Sequence, residues 1–216
     1  MKIIMEARKI EIISNRNSNV KTCIIPGHFV TGHSHVNYYV DMHSLKRQFK
    51  MSKEAAKVLA SDFSNTPVDT IICLEGTQVI GAFLAEGLAE DFPHSVNSGA
   101  DINVITPELN SSNQMIFRDD SESVIWNKNV LVLISSASTG RTVEACLECL
   151  TYYSGNLAGV AALFSAAGEL GGIPVSAVFH KSDLPDYASF PQSECPMCRD
   201  KIKVDALIND HGYSKV

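Results

Sequence analysis

Short, largely apolar runs, of which residues 130–134 are continuous, alternate along the chain with segments of helical periodicity. Runs of this length, rich in Val and Ile, are typical of strands that are buried on both faces of a parallel sheet. They span residues 69–73, 102–105, 130–134, 157–164 and 175–179. Apolar residues at helical spacing fall between them, at 52–63, 79–90 and after Gly140. The alternation predicts an α/β fold: a twisted, largely parallel sheet of about five strands flanked by helices.

The two ends of the chain are less regular. Residues 9–14 and 23–25 are predicted to be strands, the second stopped by Pro26 and Gly27. Ser52 is a candidate cap for the first helix, and a β-hairpin is predicted around residues 110–113. A short helix is predicted near residues 203–209. We expect one domain over residues 1–216, with a hood (1–45), a core (46–185) and a tail (186–216).

Composition narrows the classes of partner. The 216 residues are 45% hydrophobic and carry a formal net charge of −6, which argues against nucleic acid or an anionic membrane as the main partner. The apolar region 157–179 is interrupted by glycines, Glu169 and Pro174, so two buried elements are favoured over a membrane span. Six cysteines without an export signal indicate reduced thiols and a cytoplasmic location.

The stretch from the strand at 130–134 into the following helix has the pattern of an anion site. The first N–H groups of a helix lack partners within it, and the helix dipole favours negative charge there. Hydroxyls and a guanidinium add donors. The predicted phosphate-binding residues are Ser135, Ser136, Ser138, Thr139, Gly140, Arg141 and Thr142. The alternative is an ordinary helix cap.

A second turn, Glu75, Gly76, Thr77 and Gln78, also follows a predicted strand. Ligands of parallel α/β sheets bind beyond the carboxyl ends of the strands, where both turns fall.

Candidate metal ligands do not form a recognisable motif. His28, His33 and His35 lie close together, but no acidic or thiol ligand has a suitable spacing to them. Cys195 and Cys198 have zinc-ligand spacing, yet a structural site needs two more ligands and no second pair lies nearby in the sequence. We therefore predict no metal site among the protein's own residues. The histidines, with Tyr38 and Tyr39, suit stacking and hydrogen bonding to a flat polar ring.

With these residues in place, the chain resembles the type I phosphoribosyltransferases, in particular the orotate branch. The resemblance runs from about residue 29 to residue 198. It is carried by Phe29-x-Thr31-Gly32, Tyr38-Tyr39-Val40-Asp41, the spacing of Gly76, Gly81, Ala85 and Ala89, the Ser138-Thr139-Gly140-x-Thr142 loop, and Cys195-Pro196-x-Cys198.

The resemblance implies a phosphorylated ribose ligand. Residues 135–142 would hold the 5′-phosphate of phosphoribosyl pyrophosphate (PRPP), and residues 75–78 would face the pyrophosphate. Phe29, His33, His35, Tyr38 and Tyr39 would cover the base. An active member of the family would need Mg²⁺, and a homodimer is expected.

Departures from the family pattern leave two hypotheses open. Ile134 and Ser135 occupy the positions of the family's two acidic residues, and Arg141 replaces a glycine. Residues 106–113, which match the family's catalytic loop, contain no Lys, Arg or His; Arg118 is the nearest cation. No catalytic residue is assigned. The chain is either a transferase that joins a phosphoribosyl group to a nitrogenous base, or a catalytically degenerate nucleotide-sensing module. A hydrolase with a relocated site has no nucleophile–base spacing to support it.

Overall fold

Two six-stranded sheets dominate the protein in a computed structural model, which describes residues 5–90, 95–111, 114–138, 140–184, 186–209 and 211–216. The strands are β1 Ile10–Ser14, β2 Asn17–Val30, β3 His35–Val40, β4 Thr70–Cys73, β5 Asn103–Ile105, β6 Glu108–Leu109, β7 Met115–Ile116, β8 Asn129–Ala137, β9 Asn156–Ser165, β10 Glu169–Leu170, β11 Ile173–His180, β12 Ser189–Phe190, β13 Ala206–Asn209 and β14 Gly212–Lys215. The α-helices are α1 Met42–Arg47, α2 Phe49–Phe63, α3 Gln78–Ala89, α4 Asp119–Glu122, α5 Arg141–Tyr152 and α6 Pro196–Arg199; 3₁₀ turns span Met5–Arg8, Lys181–Asp183 and Gln192–Glu194.

The core sheet has the order β10-β11-β9-β8-β4-β5. All neighbouring pairs are parallel except β10 with β11. Leu131 and Leu133 of β8 pack in the cluster formed with α2 and α3, whereas Val130, Val132 and Ile134 pack in the cluster formed with α5. Both faces of β8 are therefore covered, which explains its uninterrupted apolar run. The predicted α/β fold with a parallel sheet between helices is confirmed.

The first long helix begins earlier than predicted. α2 starts at Phe49, and the Ser52 hydroxyl donates a 2.6 Å hydrogen bond to the Leu45 carbonyl of α1. Ser52 is completely buried, so its prediction as the helix cap is wrong. It fixes the angle between α1 and α2 instead.

The second sheet, which we call the hood sheet, combines both ends of the chain. Its order is β12-β3-β2-β13-β14, and β1 pairs with the first part of β2, residues 17–24. The hood predicted from residues 1–45 thus also contains strands of the tail. The short helix predicted near residues 203–209 is wrong, because Ala206 and Leu207 pair in parallel with Phe29 and Val30 of β2. Long-range pairing decides the conformation of this short apolar segment.

β2 continues through Pro26 and Gly27, so the prediction that they end the strand is also wrong. The register against β3 shifts between Pro26 and Phe29, which marks a β-bulge. A bulge tolerates proline, which has no N–H to donate to the ladder. The shifted segment contains His28.

Within the described residues, no helix combines the length and the apolar character needed to cross a membrane.

Candidate functional site

A cavity of about 750 Å³ lies where the carboxyl ends of the core strands meet the hood sheet. Its floor contains the end of β8, the start of α5 and Phe164 of β9, and its opposite wall contains residues of β3 and β13. This is the sheet edge at which parallel α/β folds bind ligands. Both predicted turns reach it, the first through residues 135–138 and 140–142 and the second through Glu75.

The loop between β8 and α5 forms one wall of the cavity. β8 extends to Ala137, three residues beyond the predicted strand end at Ile134, so Ser135 and Ser136 belong to the strand. Cavity-lining residues of this segment are Ser135, Ser136, Ser138, Gly140, Arg141 and Thr142. Thr139, the remaining predicted phosphate ligand, lies outside the described residues. The predicted phosphate-binding residues that are described are thus brought together.

Gly140 precedes α5 with a left-handed φ of +80°. A side chain there would be strained, and an added Cβ would lie 3.2 Å from Leu170 Cδ2. This conformation turns the chain sharply from the strand into the helix, so that the amino end of α5 lies at the cavity. The N–H groups of a first helical turn are the physical basis of an anion site.

Two cations reach the cavity from different elements. Arg141 Nη1 is 3.4 Å from His33 Nδ1, a contact that joins α5 to the loop between β2 and β3. Lys46 of α1 is 7% exposed, and its Nζ donates a 2.6 Å hydrogen bond to the carbonyl of Glu75. No local pattern marks Lys46, because only the packing of α1 beside the Glu75 turn brings it to the cavity.

The second turn has an unusual backbone, with positive φ angles of 54° at Glu75 and 76° at Gly76. Glu75 Oε2 accepts a 3.2 Å hydrogen bond from the Ser136 N–H, so a carboxylate sits next to the end of β8. The Glu75 carboxylate therefore lies beside the end of β8, where Ile134 and Ser135 supply no acidic side chain.

The other predicted pyrophosphate-side residues behave differently. Thr77 is completely buried, and its hydroxyl donates to the carbonyls of Leu74 and Leu133. Its side chain therefore belongs to the core and does not face a ligand. Gln78 is exposed as the first residue of α3.

The predicted base-side residues divide into two groups. His33, Tyr38 and Tyr39 line the cavity. Phe29 is completely buried, with its ring centroid 6.2 Å from that of Tyr39, so its predicted contact with a base is wrong. The ring of His35 points instead to His28, with 2.8 Å between His35 Nδ1 and His28 Nε2. Val36, the next residue of β3, lines the cavity, so strand alternation places the side chain of His35 on the other face of the sheet.

Burial shifts the pKa of two side chains in the cavity wall, Tyr39 and His43. Burial, and then the Asp41 carboxylate, raises the pKa of Tyr39 well above its ordinary value, so its phenol remains a donor. Burial, and then Arg47 and Lys46, lowers the pKa of His43. His43 Nδ1 is buried and has no hydrogen-bond partner in the described part of the chain. The His43 ring therefore lines the cavity as a neutral imidazole.

A small hairpin of β6 and β7 contributes Leu109, Gln114 and Met115 to the cavity wall. Arg118 follows β7 and forms an ion pair with Glu108 of β6, with Nε–Oε2 at 2.9 Å. The guanidinium is therefore engaged across the hairpin. Residues 112 and 113 of the predicted turn lie outside the described ranges.

A second cluster of chemical interest lies in the hood. His28, His35, Cys195 and Cys198 place one ligand atom each within 4.8 Å of one another. The two missing partners of the Cys-x-x-Cys pair come from β2 and β3, about 160 residues earlier in the chain. Spacing within the sequence could not reveal this convergence, because the pairing of the chain ends creates it.

Neither a protein-family model nor a curated protein sequence matches the chain. Several solved structures do match the chain. A Mycobacterium tuberculosis orotate phosphoribosyltransferase in complex with inorganic phosphate matches 68% of this chain and 80% of its own, with 15% identity and a TM-score of 0.52. A Corynebacterium diphtheriae phosphoribosyltransferase matches 74% of this chain and 90% of its own, with 15% identity and a TM-score of 0.53.

An adenine phosphoribosyltransferase from Thermoanaerobacter pseudethanolicus covers 82% of this chain and 97% of its own, with 14% identity and a TM-score of 0.51. The structural neighbours are thus type I phosphoribosyltransferases, and the chain has their fold. They are named for different bases, so the shared fold does not select one.

Proposed function

We propose that this protein binds a phosphorylated ribose compound, either PRPP or a nucleoside monophosphate, and transfers the phosphoribosyl group to or from a nitrogenous base. The single observation that carries the proposal is the loop from Ser135 to Thr142, which opens the amino end of α5 into the cavity. The fold supports the same class, since the neighbours include an M. tuberculosis orotate phosphoribosyltransferase in complex with PRPP.

The 5′-phosphate would occupy the start of α5. Backbone N–H groups there, with hydroxyls of Ser138 and Thr142, can coordinate its oxygens without a counter-charge. Arg141 would exchange its contact with His33 for a charge-assisted contact with the phosphate, which is the stronger partner for a guanidinium. Binding would then loosen one link between α5 and the hood.

The pyrophosphate of PRPP would lie towards Lys46 and the Glu75 turn. Departure of pyrophosphate builds negative charge, and positioned cations lower the barrier to such a step. Mg²⁺ usually binds through one or two carboxylates together with substrate phosphates, and Glu75 is a carboxylate in the right wall for that role. The ion would neutralise the leaving group, while Lys46 would hold its oxygens in place.

The base would lie against the hood. Tyr38 and Tyr39 offer aromatic faces, and His43 adds a neutral imidazole to the same wall. Flat rings with polar edges are recognised by such combinations of stacking and hydrogen bonding.

A second candidate function is ligand sensing without chemistry. Ile134 is 1% exposed at a position where the family has an acid, and Arg118 is paired with Glu108 instead of facing the cavity. Both observations favour a protein that retains the binding site and has lost the catalytic loop. Homodimerisation and a cytoplasmic location also remain proposals, to be tested by light scattering and by cell fractionation.

Calorimetric titration with PRPP and with nucleoside monophosphates, with and without Mg²⁺, tests the binding site. We expect Arg141→Gln to raise the Kd for a monophosphate about tenfold or more, as loss of a hydrogen bond to a charged group does. Arg118→Gln removes a cation that is engaged in the hairpin and serves as the matched control, with unchanged Kd. The proposed site would be rejected if none of these compounds binds, or if Arg141→Gln and Arg118→Gln change the Kd equally.

A pyrophosphate-release assay with PRPP, Mg²⁺ and a panel of bases separates the two candidate functions. Release with at least one base identifies a transferase and its substrate. Binding of PRPP without release for every base identifies the sensor.

A further inference from the structure

Two histidines and two cysteines from opposite ends of the chain converge in the hood. His28 Nε2 is 2.8 Å from His35 Nδ1, and 3.7 Å from both Cys195 Sγ and Cys198 Sγ. Cys198 Sγ is 3.3 Å from His35 Nδ1. Around a tetrahedral zinc ion, with Zn–N of about 2.0 Å and Zn–S of about 2.3 Å, ligand atoms are separated by about 3.3–3.8 Å. Three of the four separations given above fall within or next to this range, and no two ligand atoms are more than 4.8 Å apart, so shifts of about 1 Å or less would bring all four to tetrahedral distances.

Hydrogen bonds between these side chains can satisfy only part of the cluster at one time. His28 Nδ1 is 2.8 Å from the Ile202 carbonyl, which can only accept, so this nitrogen carries the proton. When the ring is neutral, His28 Nε2 then has one lone pair, and this lone pair faces His35 and both thiols. One donor can use that lone pair, whereas a cation at the centre is shared by all four groups.

The surroundings also match a metal centre. A ligating histidine usually donates its other N–H to a carbonyl or carboxylate, which fixes the ring orientation, as Ile202 does for His28. His28 and His35 are 1% and 6% exposed and Cys195 is 3% exposed, while Cys198 lies at the surface. The site is therefore mostly enclosed and has a path of entry on one side.

The geometry points to one structural Zn²⁺ per chain, and we propose that His28, His35, Cys195 and Cys198 bind it. Tetrahedral sets of two sulfur and two nitrogen ligands favour zinc. The ion would fasten the segment that begins α6 to the ends of β2 and β3. The loop between those strands carries His33, which lines the cavity, so the zinc would also brace one edge of the cavity. This inference is independent of the ligand proposed for the cavity.

Metal analysis of the full-length protein, purified without a polyhistidine tag and desalted into metal-free buffer, is the direct test. Inductively coupled plasma mass spectrometry should find one zinc per chain. X-ray absorption at the zinc edge should fit two sulfur ligands at about 2.3 Å and two nitrogen ligands at about 2.0 Å. Replacement by Co²⁺ should give the visible bands of a tetrahedral thiolate site.

Matched variants locate the site. Cys198→Ser changes an exposed position and should lower bound zinc at least tenfold, and His35→Gln should do the same. Cys23→Ser, on β2 but outside the cluster, and His33→Gln, in the loop just before His35, should retain one zinc. Circular dichroism of each variant shows whether it is folded, and the absorption measurements on the wild-type protein do not depend on any variant.

Several results would overturn the inference. One is wild-type protein that lacks zinc and takes up none when titrated with Zn²⁺ under reducing conditions. Others are an absorption spectrum with oxygen ligands in place of sulfur, and full zinc content in folded Cys198→Ser. A Cys195–Cys198 disulfide, found by mass spectrometry in protein prepared under reducing conditions, would also contradict it.

Discussion

Gly140 is the residue on which the shape of the phosphate loop depends. Its φ of +80° is accessible to glycine at little cost, and Leu170 of β10 packs against the space that a side chain would need. The antiparallel edge strand β10 thus leaves little room for a side chain at position 140. A phosphate site made from backbone N–H groups is only as well formed as the backbone that presents them.

Gly140→Ala should therefore lower the free energy of unfolding by about 1–2 kcal/mol and weaken binding of a nucleoside monophosphate. Denaturant unfolding and calorimetry measure the two effects. Gly168→Ala is the matched control, because an added Cβ at Gly168 has open space within 4 Å. If Gly140→Ala is as well tolerated as Gly168→Ala in both measurements, the loop does not have the proposed role.

Lys46 should distinguish the two ends of the ligand. Its Nζ hydrogen-bonds the Glu75 carbonyl in the turn assigned to pyrophosphate, so it should contact pyrophosphate and not the 5′-phosphate. We expect Lys46→Gln to raise the Kd for PRPP about tenfold or more and to change the Kd for a monophosphate much less. Lys53→Gln, which removes a lysine paired with Glu86 on the surface of α2 and α3, should change neither. Equal losses for both ligands would place Lys46 elsewhere in the site.

At the scale of the elements, two buried thiols connect packing to pH. Cys73 lies on β4 and Cys146 on the buried face of α5, and burial raises the pKa of each to about 12. An unfolded chain has thiol pKa values near 8.5. Above that pH the unfolded state loses protons that the native state keeps, so stability falls as pH rises from about 8.5 towards 12.

Cys146→Ala should make this decline shallower, by up to about 1.4 kcal/mol for each pH unit above 9. Urea unfolding from pH 8 to pH 11 measures the slope. Val143→Ala removes buried volume from the same face of α5 without removing a titrating group, so it should lower stability at every pH and leave the slope unchanged. Parallel curves for wild type and Cys146→Ala would show that the thiol ionises equally in both states.

The elements that could be predicted from the sequence are those whose own residues show a clear pattern of apolar positions. β8, β9 and β11 are covered on both faces, so their sequences are mostly apolar and easily identified. β13 is different, because its four residues are defined by a partner strand far away in the chain. The bulge in β2 is a further case, since it absorbs a proline that would end a regular strand.

The candidate site divides along the same line. The loop from Ser135 to Thr142 is contiguous, so hydroxyls, glycine and helix start are visible together in the sequence. Lys46 and the Glu75 carboxylate reach the cavity through packing, and the His–Cys cluster depends on two segments joined only by the fold. Phe29 and His35 were assigned to the base by resemblance, but Phe29 is completely buried against Tyr39 and the ring of His35 lies against His28.

At the scale of the whole molecule, the hood depends on contacts between the two chain ends. Asp205, just before β13, accepts hydrogen bonds from Arg8 Nη2 at 2.6 Å and from the His28 N–H at 3.0 Å. It therefore connects the N-terminal 3₁₀ turn, the bulge of β2 and the C-terminal hairpin. Its side chain is 28% exposed, so much of this network is shielded from water.

Asp205→Asn should lower the free energy of unfolding by about 1–3 kcal/mol, because the amide nitrogen would face one of two donors and leave it without an acceptor. Denaturant unfolding at pH 7 measures this loss. Asp200→Asn, at an exposed pair with Arg199 at 3.7 Å, is the matched control and should change stability by less than about 0.5 kcal/mol. Hydrogen exchange should show faster opening of β2, β13 and β14 in Asp205→Asn, with the core strand β8 unaffected by local opening. Uniform acceleration across both sheets would mean that the hood and the core unfold as one unit, and that Asp205 stabilises the whole protein and not the hood in particular.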